Sequence, residues 1–207
     1  MSRPYEVTGR TQQKQRTREE LVAAARHLVA SGVTPTVEHT AAAAGISRAA
    51  AYRYFPNQRA LLLAAHPETG ARTLLPEEPP DDPAARLAAV IRAFTELIIR
   101  TEAQQRTMLR LSLDTDPSGR AALPLRQGRA IGWIEEALSP LHGQLSERAV
   151  HQLAVAVRSA VGIEALAWLT DVAGLTRDEA ADLMAWSAQA LLQAALTGTP
   201  PPTIHPD

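Results

Sequence analysis

The chain has 207 residues, 45% of them hydrophobic, enough for a packed core of one large domain or a small one joined to a larger one; it is not a disordered polymer. It contains no cysteine, which removes disulfides and thiolate metal sites and fits a reducing compartment. The net charge of -1 hides an asymmetry: residues 1–66 hold nine Lys/Arg against four Glu, a net of +5, leaving -6 for the rest, the footprint of a nucleic-acid-binding head on an acidic body.

Residues 1–16 carry Arg3, Arg10, Lys14 and Arg16 and read as a flexible basic arm, one that follows phosphates or enters a minor groove, or else as a solvated terminus. No basic-then-apolar leader and no uninterrupted apolar run of membrane-spanning length is found, so neither a secretory signal nor a membrane partner is expected; the expected location is the cytoplasm.

Helix signals then follow one another, with no alternating strand pattern. Thr17-Arg18-Glu19-Glu20 has the form of a capping box opening a first helix, with Leu21, Ala24 or Ala25 and Leu28 inward and a stop at Gly32. Thr36 caps a second helix that halts at Gly45, a residue able to take positive φ. Ser47 caps a third running to about Phe55, and Pro56-Asn57 breaks the chain before a fourth near Gln58. A short helix, a glycine turn and a second short helix make the layout of a DNA-reading helix-turn-helix.

Residues 66–83 are rich in proline and acid and are expected to form a linker or loop, ending with Asp82 as cap and Pro83 at the first helical position. Helical spacing returns at Leu87, Val90/Ile91, Phe94 and Leu97/Ile98, then through Met108 and Leu111 to Leu113. Asp116-Pro117 is a break, followed by a helix carrying Ile131, Trp133, Ile134 and Leu138. Ser146 begins one long helix (Val150, Leu153, Val157, Val161, Trp168, Val172) ending at Gly174. Thr176 and Glu179 form a capping box for the last helix, with Leu183, Trp186, Ala190 and Leu191 inward; Gly198 and prolines close it. The expected architecture is all-α, about nine helices: a helix-turn-helix domain at 17–65, a helical body at 84–198 and a flexible tail at 199–207.

The AxxAGIS turn (Ala41 to Ser47) and the YRYFPN segment (Tyr52 to Asn57), between a first helix and a longer helical body, closely resemble the tetracycline-repressor (TetR) family. The motif likeness covers about residues 17–65; the body matches in helix number and length. The resemblance implies a homodimer that binds double-stranded DNA and is released from a near-palindromic operator when its body binds a small-molecule effector.

On the third helix only side chains near the N-terminus reach base edges: Arg48, Ala49 and Ala50. Arg48 is the long donor among them, suited to bidentate reading of guanine or to a phosphate. Thr36, Ser47, Tyr52 and Tyr54 suit phosphates, the first two at helix N-termini, while Phe55 is expected to plug the small core. The family usually has Lys at the position of Gln58, so the phosphate contact is expected to shift to Arg59; it also favours an aliphatic residue at Thr40, where looser packing is expected.

In the body, an effector pocket is expected among Phe94, Leu97, Ile98, Met108, Leu111, Trp133, Ile134 and Trp168, lined for an apolar or aromatic compound. A dimer face is expected on the last two helices from Val157, Val161, Leu183, Trp186 and Leu191, with completion of the monomer core as the alternative. The six histidines are scattered, and HExxH, GxSxG, GxxxxGK and GxGxxG are missing, so neither an enzyme, a metal site nor a cofactor is expected. A helical adaptor without DNA binding is the competing class.

Overall fold

The computed structural model describes residues 4–65, 71–113 and 128–198, with side chains from Thr11 onward. Arg3, the Asp116-Pro117 break and the tail from 199 lie outside the described residues, as does the side chain of Arg10. Among the described residues there are ten α-helices, one 3-10 turn and no strand. The chain forms two compact units, the first of residues 4–65 and 103–113, the second of 71–102 and 128–198.

In the first unit, α1 runs from Pro4 to Ala30, α2 from Val37 to Ala43, α3 from Arg48 to Tyr54 and α4 from Gln58 to Ala65. The expected start at Thr17 is not there, because helix continues straight through it. Residues 12–16 are good helix formers, and Gln15 bonds Glu19 at 2.7 Å and Arg16 pairs with Glu20 at 3.2 Å, clasping the turn where a cap would stand. The basic segment is therefore helical from Pro4, not a flexible arm.

The other local signals are met within four residues of themselves. Thr36 accepts from the His39 amide at 3.1 Å, Ser47 from Ala50 at 3.3 Å, and Asn57 from Ala60 at 2.8 Å. Gly45, at φ 66°, lets the Ile46 amide turn back to the Ala41 carbonyl at 2.9 Å, closing α2 and aiming the chain into α3. α1 packs on α2 and α4, and α2 on α3. Ala25, Ala41 and Ala51 are at most 2% exposed at these crossings, so small residues allow the backbones to approach, and Phe55 and Leu61 fill what remains. Thr40 is fully buried and its hydroxyl donates to the Thr36 carbonyl at 3.0 Å. Looser packing had been expected there; the polar group is instead absorbed by its own helix.

The helix α6 (Glu102–Leu113) follows α5 (Pro83–Arg100) in sequence, yet residues 103–113 belong to the first unit. Met108 packs with Val29 and Leu62, Leu111 lies against the same cluster, and Arg110 donates to the Thr34 hydroxyl at 2.9 Å. A body running unbroken from residue 84 is thus not how these residues group.

The second unit comprises α5, α7 (Arg129–Leu138), a 3-10 turn (Ser139–Gly143), α8 (Glu147–Ala160), α9 (Ile163–Asp171) and α10 (Arg177–Leu196). α7 packs on both α5 and α8, and α10 on α5, α8 and α9. Residues 71–82 carry no helix but are bound to α7: Arg86 donates to the Pro80, Glu136 and Ala137 carbonyls at 3.0 to 3.2 Å, and Trp133 Nε1 to the Arg72 carbonyl at 3.2 Å. Asp82, Ser146 and Thr176 cap α5, α8 and α10, and the Thr176–Glu179 capping box is complete.

The single long helix expected from Ser146 is two. Val161 leaves helical geometry and Gly162 adopts φ 153°, so α8 ends and α9 begins at a new angle. Arg158 fastens the bend, donating to the Val161 carbonyl at 3.0 Å and to both oxygens of Glu164 at 3.1 to 3.3 Å. The stretch Glu147–Asp171 is long and apolar enough to cross a membrane, with a mean hydropathy of 1.5, but the bend divides it and α8 turns a buried stripe to its neighbours. In α10 the inward face is Ala180, Met184, Ala188, Leu192 and Ala195. The expected inward face was one position off: Leu183 is 39% and Trp186 67% exposed, because the small alanines take the close-packed side.

Candidate nucleic-acid interface

α2 and α3 of the first unit present most of the side chains that suit DNA on an exposed surface. Thr36, Ser47, Arg48, Ala49 and Tyr52 are exposed, Ala50 and Tyr54 half-buried. Ser47 ends its extended segment with ψ 143°, so α3 starts abruptly and Arg48 stands at its first turn, where a helix entering a groove leads with its side chains.

The side chains are not independent of one another. Glu38, in the first turn of α2, pairs through Oε1 with Arg48 Nη2 at 3.0 Å, and the Tyr52 hydroxyl donates to the same oxygen at 2.5 Å. The Arg48 guanidinium lies 5.7 Å from the centre of the Tyr52 ring, so it is held on two sides. The hydrogen bond from Tyr52 holds the Glu38 carboxyl below the ordinary carboxylate range, helped by its own backbone amide, by Thr36 and by the charge of Arg48 against a modest opposing cost of burial. The same hydrogen bond pushes the Tyr52 phenol above the ordinary tyrosine range.

Glu38 was not among the sequence-based candidates. Its partners lie 10 and 14 positions away on another helix, and no spacing within α2 announces them. Its helix position, two residues after the cap, reads simply as an acid favoured by the helix dipole.

The remaining candidates fall into two groups. Gln58 donates to the Pro35 carbonyl at 3.0 Å, so the side chain expected to approach phosphate ties the start of α4 to the entry of α2. Arg59 beside it is half-buried. Tyr54 packs against the core of the unit, and Phe55, 3% exposed, sits within that core with the Arg18 guanidinium 5.5 Å from its ring.

The residues expected to line one effector pocket are not gathered in one place. Phe94 and Trp133 meet edge to face at 6.1 Å, and Ile98 and Ile134 are buried in the second unit, with Leu97 half-buried. Met108 and Leu111 lie in the first unit, because α6 packs there, and Trp168 is 59% exposed. Of the expected dimer face, Val157 and Val161 are fully buried within the second unit and Leu191 is half-buried, which leaves Leu183 and Trp186 outward. Hydrophobic spacing alone does not distinguish inward from outward faces once the helix is broken at Gly162.

His151 pairs with Glu135 at 2.5 Å and His142 is exposed, on the 3-10 turn. Among the described residues no three His, Cys, Asp or Glu converge as a metal site would require.

Residues 21–65, which span the end of α1 through α4, match the family described as bacterial regulatory proteins, tetR family. No curated protein matches the chain closely enough to be counted a relative.

Proposed function

From the premise that the chain is a tetR-family DNA-binding transcriptional regulator, we propose that it acts as a homodimeric repressor which leaves a near-palindromic operator when a small molecule binds its second unit. The match at residues 21–65 supports a regulator in preference to an enzyme. The observation that carries the DNA-facing part is Arg48, 73% exposed in its side chain at the first turn of α3, with the Tyr52 ring beside it. In this reading Arg48 reads a base edge, Ala49 and Ala50 allow close approach to it, and Thr36, Ser47, Tyr52, Tyr54 and Arg59 meet phosphates. Gln58 has a supporting role through Pro35.

The dimer is proposed to form on α9 and α10. Trp168, Val172, Leu183 and Trp186 are 39% to 69% exposed on these two packed helices, an apolar surface that a soluble chain ordinarily covers. A second copy related by a two-fold axis would cover it, and two-fold symmetry in the protein demands the same in the operator.

For the effector, the proposed site is the interior of the second unit around Phe94, Leu97, Ile98, Trp133 and Ile134. Thr95 Oγ1 and Gln152 Nε2 are buried there without a hydrogen-bond partner among the described residues, so the favoured ligand is mainly apolar with one or two polar groups. Release requires that it bind the DNA-free arrangement more tightly than the DNA-bound one. The cytoplasm, where DNA and effector are both accessible, is the proposed location.

The test is a gel shift of the purified chain on the DNA upstream of its own gene, titrated with salt and with a panel of small molecules. Salt-dependent binding to a palindrome, relieved by one compound, is the expected result. No binding to any duplex at low salt overturns the reading.

A further inference from the structure

We propose that Glu38 is the positioning residue for base reading: from α2 it aims the Arg48 guanidinium and thereby sets the sequence selectivity of the head. The inference deepens the reading that α3 enters the major groove and rests on it.

Two contacts hold the guanidinium, and a third braces the carboxylate that makes one of them. Glu38 Oε1 takes Arg48 Nη2 at 3.0 Å, the Tyr52 hydroxyl binds the same oxygen at 2.5 Å, and the Tyr52 ring lies 5.7 Å from the guanidinium carbon. An unrestrained arginine samples many rotamers and must surrender them on binding; one already held surrenders fewer. The clasp leaves reading capacity intact. Arginine has five N–H donors, one is engaged by Glu38, and a bidentate bond to guanine needs two.

Folding does not explain the arrangement, since an ion pair with side chains 73% and 38% exposed contributes little to stability. Near DNA its effects diverge. A carboxylate facing phosphates weakens sequence-independent attraction, while its hold on Arg48 strengthens discrimination between bases. Removing it must therefore move the two quantities in opposite directions, which a residue with a merely structural role would not do.

The full-length protein is equilibrated with a random-sequence duplex library at fixed salt and the bound fraction sequenced, for the unaltered chain, E38A, E38Q, R48A and the E38A/R48A pair. In E38A, total duplex retention is expected to rise while base enrichment at the position flattened by R48A falls about five-fold or more, the low end of what one bidentate pair supplies. In the R48A background, E38A is expected to change nothing further at that position. Glu38 also lies in the first turn of α2, so E38Q, which keeps the size and an acceptor oxygen, carries the same expectation with a smaller drop should E38A loosen the helix. Unchanged enrichment in both variants overturns the inference, and sharper enrichment shows that the carboxylate masks Arg48 instead of aiming it, which overturns it too. If the unaltered chain binds no duplex in a salt-dependent way, the DNA-binding reading itself fails and takes the inference with it.

Discussion

The phenol of Tyr52 on α3 donates its hydrogen bond to Glu38 on α2, 14 residues earlier, at 2.5 Å. The bond raises one acid and lowers the other, so their contributions to stability end at opposite sides of neutrality. Glu38, lowered, contributes fully above the ordinary glutamate range and loses its contribution as pH falls through the depressed value. Tyr52, raised, contributes fully below the ordinary tyrosine range and loses it as pH climbs through the elevated value. An ultraviolet titration of E38A is expected to bring one tyrosine ionisation back to the ordinary range; a curve identical to that of the unaltered chain would show that the bond is not populated in solution.

Replacing Arg48 by alanine is expected to cost about 1–3 kcal/mol of discrimination between the selected duplex and one altered at the contacted base. The salt dependence of binding should change by no more than about one phosphate contact, because most of it comes from other cations. Fluorescence anisotropy on the two duplexes across a salt series separates these effects. Equal loss on both duplexes would make Arg48 a phosphate contact.

Phe55 closes the core shared by α1 to α4. Phe55→Ala leaves a cavity among small alanines that cannot close over it, and about 3–5 kcal/mol of destabilisation is expected. Urea unfolding of the full chain followed by circular dichroism checks this. A loss below about 1 kcal/mol would mean that the core collapses around the gap.

At Gly162 a Cβ would run into the Arg158 guanidinium and lie 2.9 Å from Glu164 Oε2, at a φ of 153°. Gly162→Ala is therefore expected to destabilise the second unit by about 1–3 kcal/mol through strain and a displaced ion pair. The thermal midpoint reports it, and a midpoint equal to that of the unaltered chain would show that the bend between α8 and α9 adapts freely.

Trp186 and Trp168 are 67% and 59% exposed, so charge at either should leave the monomer fold intact. Trp186→Arg is expected to shift the chain from dimer to monomer in sedimentation analysis while its helical signal remains. A dimer of undiminished stability would place the interface elsewhere.

The sequence by itself determined the features whose physics is completed within a few residues. Thr36, Ser47, Asp82, Ser146 and Thr176 cap helices because the amides they satisfy lie three positions ahead, and Gly45 turns because a positive φ is a property of one residue. The helix-turn-helix was legible for the same reason. Tertiary structure decided the rest. The α6 helix joins the first unit because Val29 and Leu62 offer Met108 a partner. Trp186 turns outward because the four-residue series Ala180, Met184, Ala188 and Leu192 takes the packed side of α10. Glu38 meets Arg48 only because Gly45 folds α3 back against α2. A cap needs only its own turn of helix, but burial and ion pairing depend on which surface arrives from elsewhere in the chain, and residue spacing carries no record of that.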